Sequence, residues 1–435
     1  MTVVEARATA EMPMAATERA AGAVWHPWVR RIAIAGLAAL YMFIWALSGL
    51  LNINPTDLDA FFLPSVRIAL GGQPLHVYAL RYATLYPNAN GPLSLVPLTA
   101  VAALAQRLGW LDDVYLRRML VMAVFSIFTL FMAWEGVAAV QRLRGASLHP
   151  LWRGLSFAVF ALCPTLWHGI LLYGHIELPI AIWMMLLGVR MVAEGRPGRA
   201  GVCLGLAILT RSNAVLYLIP LLVLLFARRR WKPGFWLGGS AAATVGAGLL
   251  PFYLASPSDL LFSLVTFRGA LPVGGGSIWG LTVGTAYESV AQRFDSVFVL
   301  GSALVISVVI VVVRRDLTPD SRNVYALLAL SGIMFPLFIK TLWPYYFLDL
   351  YVLLAVWWLG QVATWYSARR WLEALLPAFF VGCALIAEYG VSLSSYAVEK
   401  TQENLAMTVL LMGFVLALGG WLVLRAPRSM RPLAV

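Results

Sequence analysis

Charged residues are scarce in this chain: Lys, Arg, Asp and Glu make up 12% of its 435 residues, against about 25% in an average soluble domain. Cysteine is nearly absent. Cys163, Cys203 and Cys383 all lie inside apolar runs, an odd count that gives neither a disulfide framework nor a metal spacing. Histidine ends at His175, which is not accompanied by a second histidine and carboxylate at ligand spacing, so no metal site is expected. Neither a Walker sequence nor a dinucleotide fingerprint occurs, which leaves ATP and NAD chemistry without support. No internal repeat is visible, which weighs against an inverted-repeat transporter.

Apolar surface is what the chain has in plenty. Hydrophobic residues are 61% of it and the mean hydropathy is +0.81. That is about 265 residues, and a dozen membrane helices of about 20 residues each would use nearly all of them. A soluble globular domain, a secreted disulfide scaffold and a disordered chain are excluded. The expected fold class is an all-α polytopic integral membrane protein with about 10–13 transmembrane helices. The net charge of +12 does not imply nucleic acid, because the basic residues fall in short clusters between apolar runs. Arg30-Arg31, Arg228 to Arg230 with Lys232, Arg314-Arg315, Arg369-Arg370, and Arg425, Arg428 and Arg431 follow the positive-inside pattern of cytoplasmic loops.

Residues 1–31 read as a disordered cytoplasmic lead, 32–424 as a single transmembrane catalytic domain, and 425–435 as a cytoplasmic basic tail. The run 32–50 follows two arginines and has no small-residue cleavage site soon after it, so it is expected to be an uncleaved signal anchor. This places the protein in the plasma (inner) membrane with a cytoplasmic N-terminus. Further apolar segments fall at 92–106, 119–140, 154–172, 177–193, 200–227, 235–254, 297–313, 324–340, 344–363, 372–392 and 405–424. Two long, less apolar stretches, 51–91 and 255–296, are expected as structured loops on the outer face.

If every segment crossed once, Arg142, Arg144 and Arg153 would face outside, against the charge rule. The run 92–106 is about 22 Å as a helix, short for a span. Letting it dip in and return restores the rule. The run 200–227 must then also return to its own side, because Arg196 and Arg199 precede it and Arg228 to Lys232 follow it. At about 42 Å of helix it is too short for two crossings. Arg211, in its middle, marks the expected turn.

The first outer loop carries Asp57 and Asp59 at the start of an amphipathic helix. Asn54 suits its N-cap, Pro55 its first position, and Gly71-Gly72 its end. The helix is expected to lie in the outer interface. Asp57 reads either as a first-turn carboxylate complementing the helix dipole or as a general base at the membrane surface. Asp59 would point about 200° away, so only one of the two can face a given cavity. Ionisable groups in or beside apolar segments invite functional suspicion, with snorkelling or a buried ion pair as the alternative. They are Glu177 beside His175, Arg211, Lys340, Glu135 and Glu388. The second outer loop holds Arg268 and Gly274-Gly275-Gly276-Ser277-Ile278-Trp279-Gly280, whose glycines allow close backbone approach to a phosphate or sugar. Trp279, Trp343, Tyr345 and Tyr346 are candidates for stacking on sugar faces.

Four stretches, in this order and covering about a quarter of the chain, resemble the C-type (GT-C) membrane glycosyltransferases that use polyprenyl-phosphate sugars. The likeness is strongest to the polyprenyl-phosphomannose-dependent mannosyltransferases of glycosyltransferase family 87. The stretches are DLDAFFLPSVRIALGGQPLHVY at 57–78, YGHIELPIAIW and the sequence that follows it to the basic cluster at 173–231, GGGSIWGLTV at 274–283, and KTLWPYYFLDLYVLLA at 340–355. Asp57 matches the family's first-loop acid. Arg211 stands where the family usually has a lysine and His175 where it has a glutamine. Tyr345-Tyr346 stand in place of paired histidines, and glycine replaces an asparagine near Ser277.

The resemblance implies a GT-C-like fold and transfer of a sugar, mannose foremost, from a polyprenyl-phosphate donor to a hydroxyl of a lipid or glycan acceptor on the outer face, with inversion. Asp57 would take the acceptor proton, with Asp59 as its competitor for the role. Arg268, Lys340 and Arg211 would hold the leaving phosphate. His175, Glu177, Ser277, Trp279, Tyr345 and Tyr346 would contact sugar or acceptor. No cofactor is expected; a divalent cation is compatible with such chemistry, but no ligand spacing indicates one. The partners are the donor, the acceptor and membrane lipids, with no nucleic acid. A transporter or flippase of a lipid-linked sugar is the first alternative and a noncatalytic membrane scaffold the second.

Overall fold

A backbone crossing hydrocarbon must satisfy its own hydrogen bonds, which helices do within one segment. In the computed structural model, which describes residues 27–51, 57–79, 87–145, 148–274, 276–368, 382 and 401–424, no strand occurs among the described residues. The helices in chain order are α1 (Pro27–Leu51), α2 (Leu63–Leu70), α3 (Leu95–Arg107), α4 (Val114–Arg144), α5 (Pro150–Ala161), α6 (Pro164–Leu171), α7 (Leu178–Ala193), α8 (Pro197–Thr210) and α9 (Val215–Ala227), then α10 (Trp231–Ala255), α11 (Pro257–Leu261), α12 (Phe267–Ala270), α13 (Glu288–Val313), α14 (Asn323–Gly332), α15 (Met334–Phe338), α16 (Leu348–Ala368) and α17 (Thr401–Leu424).

Among the described residues, six stretches are long and apolar enough to cross a membrane: Arg31–Leu51, Val114–Arg144, Pro150–Leu171, Trp231–Ala255, Glu288–Val313 and Leu405–Leu424. The surface agrees with their composition. Leu37 and Phe43 on α1, Phe235 and Leu254 on α10, Val297 and Val305 on α13, and Val409 and Leu416 on α17 are all exposed. Water would penalise such an apolar girdle and a bilayer accepts it. The chain is an all-α, multi-pass membrane protein. Residues 1–26 of the lead, the tail, Cys383, Glu388 and most of the run 372–392 lie outside the described residues; residues 27–31, expected as part of the disordered lead, are the first turn of α1 instead, continuing its apolar run.

One end of the bundle is basic. Arg142 donates to the carbonyl of Arg190, Arg322 to that of Leu143, Arg228 to those of Val311, Arg314 and Leu317, and Arg314 to that of Leu422. These bonds gather the ends of α4, α7, α9, α13 and α17 and the start of α14 at one level. Arg31, near the start of α1, joins them, because α1 runs antiparallel to α4: Gly49 packs on Arg118 and Met122, and Tyr41 meets Thr129.

Small residues fix the path of the 200–227 run. Gly201 packs on Leu237 and Ser240, Gly205 on Ala241 and Thr244, and Gly248 on Leu209, so α8 and α10 run parallel. Gly234 meets Phe226 and Gly238 meets Leu222, so α9 and α10 run antiparallel. The chain therefore rises along α8, breaks at Arg211 (φ −150°, ψ 115°) and descends along α9 to the basic end. The short helix α3 does not cross either. Before it, Gly91 sits against the Leu209 backbone, and after it Asp112 pairs with Arg67, both at the far end.

Candidate functional site

The break in that hairpin brings Arg211 to the end of the bundle opposite the basic one, where the two long loops also lie. Asn54 and Pro55 fall outside the described residues. The helix they were expected to start is a wide turn, Leu58–Phe62, continuing into α2, and it stops at Gly71-Gly72 as the sequence implies. It does not lie on the bilayer surface. Leu58, Phe62 and Val66 are buried in the main core, because the apolar stripe that would have dipped into lipid finds protein partners instead. Asp57 makes no side-chain cap to this turn. Its backbone N–H donates to the carbonyl of Tyr173 at 3.0 Å. Leu58 rests directly on Gly174, whose φ of +77° suits glycine and where a Cβ would collide with the Leu58 backbone. That close approach sets Asp57 beside His175.

Asp57, His175 and Glu177 form a line. His175 Nδ1 lies 2.6 Å from Glu177 Oε1, and Nε2 lies 2.8 Å from Asp57 Oδ2, the second a charge contact rather than an aligned hydrogen bond. The Tyr345 ring covers the imidazole at a centroid distance of 3.7 Å. Burial works against the imidazolium, yet the two carboxylates outweigh it and hold His175 up at about 9. Burial likewise works against the Glu177 carboxylate, and the His175 charge outweighs it, so Glu177 sits below its ordinary value.

Arg211 stands next to this line. Its guanidinium is buried over the faces of Tyr345 and Tyr346, at 5.6 and 5.2 Å from the ring centroids. Among the described residues it makes no side-chain hydrogen bond, and Nη1 is fully buried without an acceptor. Burial disfavours its charge; Asp349 and Glu177 hold it. Asp349 does not bond it directly. Its Oδ2 instead accepts from Tyr217 Oη at 3.0 Å and Asn213 Nδ2 at 3.4 Å. A guanidinium has five N–H donors and no acceptor. One left buried with a bare head has donors that an anion could take up.

The other sequence candidates separate from this group. Asp59 faces away, its carboxylate shared between Arg117 (3.0 Å) and Arg118 (2.6 Å), both buried at the head of α4. Lys340 donates from Nζ to the carbonyls of Gly269 (2.6 Å) and Gln292 (3.2 Å). Its ammonium is spent on the second loop, and burial lowers its affinity for a proton more than Asp295 raises it. The glycine run approaches the protein's own backbone. Gly274 N donates to Lys340 O at 2.7 Å, and Gly276 packs on Leu342. Trp279 gives its indole N–H to the carbonyl of Phe338 and packs with Val273 and Ala291 in a small core of its own. Ser277 is buried nearby, and its hydroxyl has no hydrogen-bond partner among the described residues. The side chain of Arg268 lies outside the described residues. Glu135 forms the ion pair given as its alternative reading, with Arg190 at 2.5 Å.

Asp349, Tyr217 and Asn213 were not singled out from the sequence. The signal for Asp349 was an acid inside the run 344–363, of the kind that drew attention to Glu135. Tyr217 and Asn213 carry no such signal, because a tyrosine in an apolar run and an asparagine after a break are ordinary residues there. No protein-family model matches the chain, and no curated protein is significantly similar to it.

Proposed function

We propose that the protein is a GT-C-like membrane glycosyltransferase that moves a sugar, mannose foremost, from a polyprenyl-phosphate donor to a hydroxyl of a lipid or glycan acceptor. The observation that carries this reading is the bare, buried Arg211 guanidinium beside a carboxylate line that ends at Asp57. Arg211 supplies fork-shaped donors for a phosphate. Asp57 supplies a base. The acceptor oxygen bonds to the anomeric carbon as the bond from that carbon to the phosphate oxygen breaks. The electron pair leaves on the phosphate, the hydroxyl proton goes to Asp57, and the anomeric centre inverts. His175, Glu177, Tyr345 and Tyr346 line the place where sugar and acceptor meet.

Depth supports a lipid-borne phosphate. Helix α8 has 14 residues, about 21 Å of rise, within a hydrocarbon layer of about 30 Å. Arg211 at its tip is thus within reach of a phosphate that enters sideways from the bilayer. The positive-inside rule makes the basic end cytoplasmic, which gives a cytoplasmic N-terminus and an outer-face site in the plasma membrane, with about 10–13 crossings. The test uses purified protein in detergent, a labelled polyprenyl-phosphate mannose and a lipid extract as acceptor. Label should move to the acceptor with no gradient present. No transfer from any polyprenyl-phosphate sugar, together with movement of the lipid across vesicles, would replace this reading with transport.

A further inference from the structure

We infer that His175 is a protonated bridge between Asp57 and Glu177, and that His175 and Glu177 act as positioning residues that keep Asp57 an aimed carboxylate. The inference rests on the base assignment proposed above for Asp57. Its geometry stands by itself. A neutral imidazole has one N–H and one lone pair. Here each ring nitrogen faces a carboxylate oxygen, at 2.6 and 2.8 Å. With one proton on the ring, one carboxylate would meet a lone pair. A proton on each nitrogen gives Glu177 a hydrogen bond and Asp57 an opposite charge at close range.

The surroundings hold the ring in place. Tyr345 covers its face, and Tyr345 in turn lies under Arg211. The titratable and charged groups about His175 are Asp57 from the first loop, Glu177 from the turn before α7, Tyr345 from the turn before α16, and Arg211 across that ring. Glu177 is wholly buried and keeps one oxygen, Oε2, unbonded. It is an acid serving the imidazole rather than solvent. A fixed cation 2.8 Å from Asp57 orients its carboxylate, and Glu177 supplies the second negative charge that keeps the cation there. The proton is lost as pH rises through about 9. Asp57 then faces a lone pair and turns from its aim, so transfer should fall on the alkaline side.

The test uses the full chain in nanodiscs with ¹⁵N-labelled histidine, the His175 signals assigned by their loss in His175→Gln. Both ring nitrogens should be protonated at pH 7 and lose the proton near pH 9, and Glu177→Gln should move that loss to lower pH. Transfer by wild type should fall over the same alkaline range. His175→Gln, which keeps an amide donor but cannot titrate, should be slower and lack that fall. A single-tautomer neutral ring at pH 7 overturns the bridge whether or not sugar is transferred. A bridge seen by NMR in a wild type that transfers nothing leaves the proton state standing and removes the base assignment with the glycosyltransferase reading. Transfer with the same alkaline fall in His175→Gln overturns the positioning role and leaves the glycosyltransferase reading intact.

Discussion

The buried Arg211 and the half-buried Arg190 should respond to the same substitution in opposite ways. Arg211 has a bare head over two tyrosine rings. Replacing it with methionine removes no hydrogen bond, and Glu177 and Asp349 keep their bonds to His175 and Tyr217. What is lost is cation–π attraction of about 0.5–2 kcal/mol per ring and the positive charge that Asp349 and Glu177 face, partly offset by relief of a buried charge. Because neither carboxylate loses a hydrogen bond, the net cost to folding should stay below the roughly 3–5 kcal/mol of a broken buried ion pair. Loss of a preorganised charge facing a leaving phosphate should cost about 10²–10³ in rate, or about 2.7–4 kcal/mol.

Arg190 is the counterpart at the basic end. Its guanidinium bonds both oxygens of the buried Glu135 and one of Glu194. Arg190→Met strands the Glu135 carboxylate and should cost the fold about 3–5 kcal/mol, while the protein that does fold transfers sugar normally. Thermal unfolding in detergent and transfer of labelled donor, read on both variants, separate the two effects. Arg211→Met retaining more than about a tenth of wild-type transfer would refute the anion-seat argument. So would a loss of folded protein as severe as that of Arg190→Met. Arg211→Lys, which keeps the charge but loses the fork, should fall between wild type and the methionine variant.

The two loop acids should part in the same manner. Asp57→Asn should fold and lose transfer by about 10²-fold or more, whereas Asp59→Asn removes the carboxylate that the buried Arg117 and Arg118 share and should lower the melting temperature and the yield of folded protein. Lys340→Met should loosen the second loop and reduce thermal stability with the donor KM unchanged within about twofold, since that ammonium serves two carbonyls of the protein itself; a large rise in KM would return it to phosphate binding. Gly201→Leu should abolish the monodisperse peak on size exclusion, because a side chain there collides with Leu237 and Ser240 and separates α8 from α10. The His175–Glu177 pair also ties stability to pH. The raised imidazole stabilises fully below its unfolded value near 6.5 and is lost as pH rises through about 9. The depressed Glu177 contributes above its unfolded value and is lost as pH falls through its folded one. Melting temperatures should therefore decline at both ends of a scan.

Several features were legible without the fold because they depend on composition and local spacing. Apolar runs bounded by arginines specify helices in lipid and the end they share. The mismatch between the length of the 200–227 run and its basic flanks required a return, and Arg211 was the one charge near its middle. Gly71-Gly72 ended the first loop's helix by backbone freedom alone. Asp57 and Asp59 could be told apart in principle, since two residues on a helix point different ways, but not as to which faced what.

That choice belonged to the tertiary structure, because it turns on residues distant in sequence. Asp59 is claimed by Arg117 and Arg118, and Asp57 by His175, 118 positions further on. Gly274 and Gly276 of the second loop looked open to a ligand and are filled by Lys340 to Leu342, and Trp279 looked like a sugar platform and is a core residue. Asp349, 138 positions from Arg211, becomes its neighbour only when α16 packs beside the hairpin break. Sequence alone determined that the chain lives in a membrane and where it reverses, since hydropathy and charge act on each segment separately. Which polar groups pair, and which one is left bare for a ligand, was decided by packing, since a buried charge is satisfied by whatever the fold brings within about 3 Å of it.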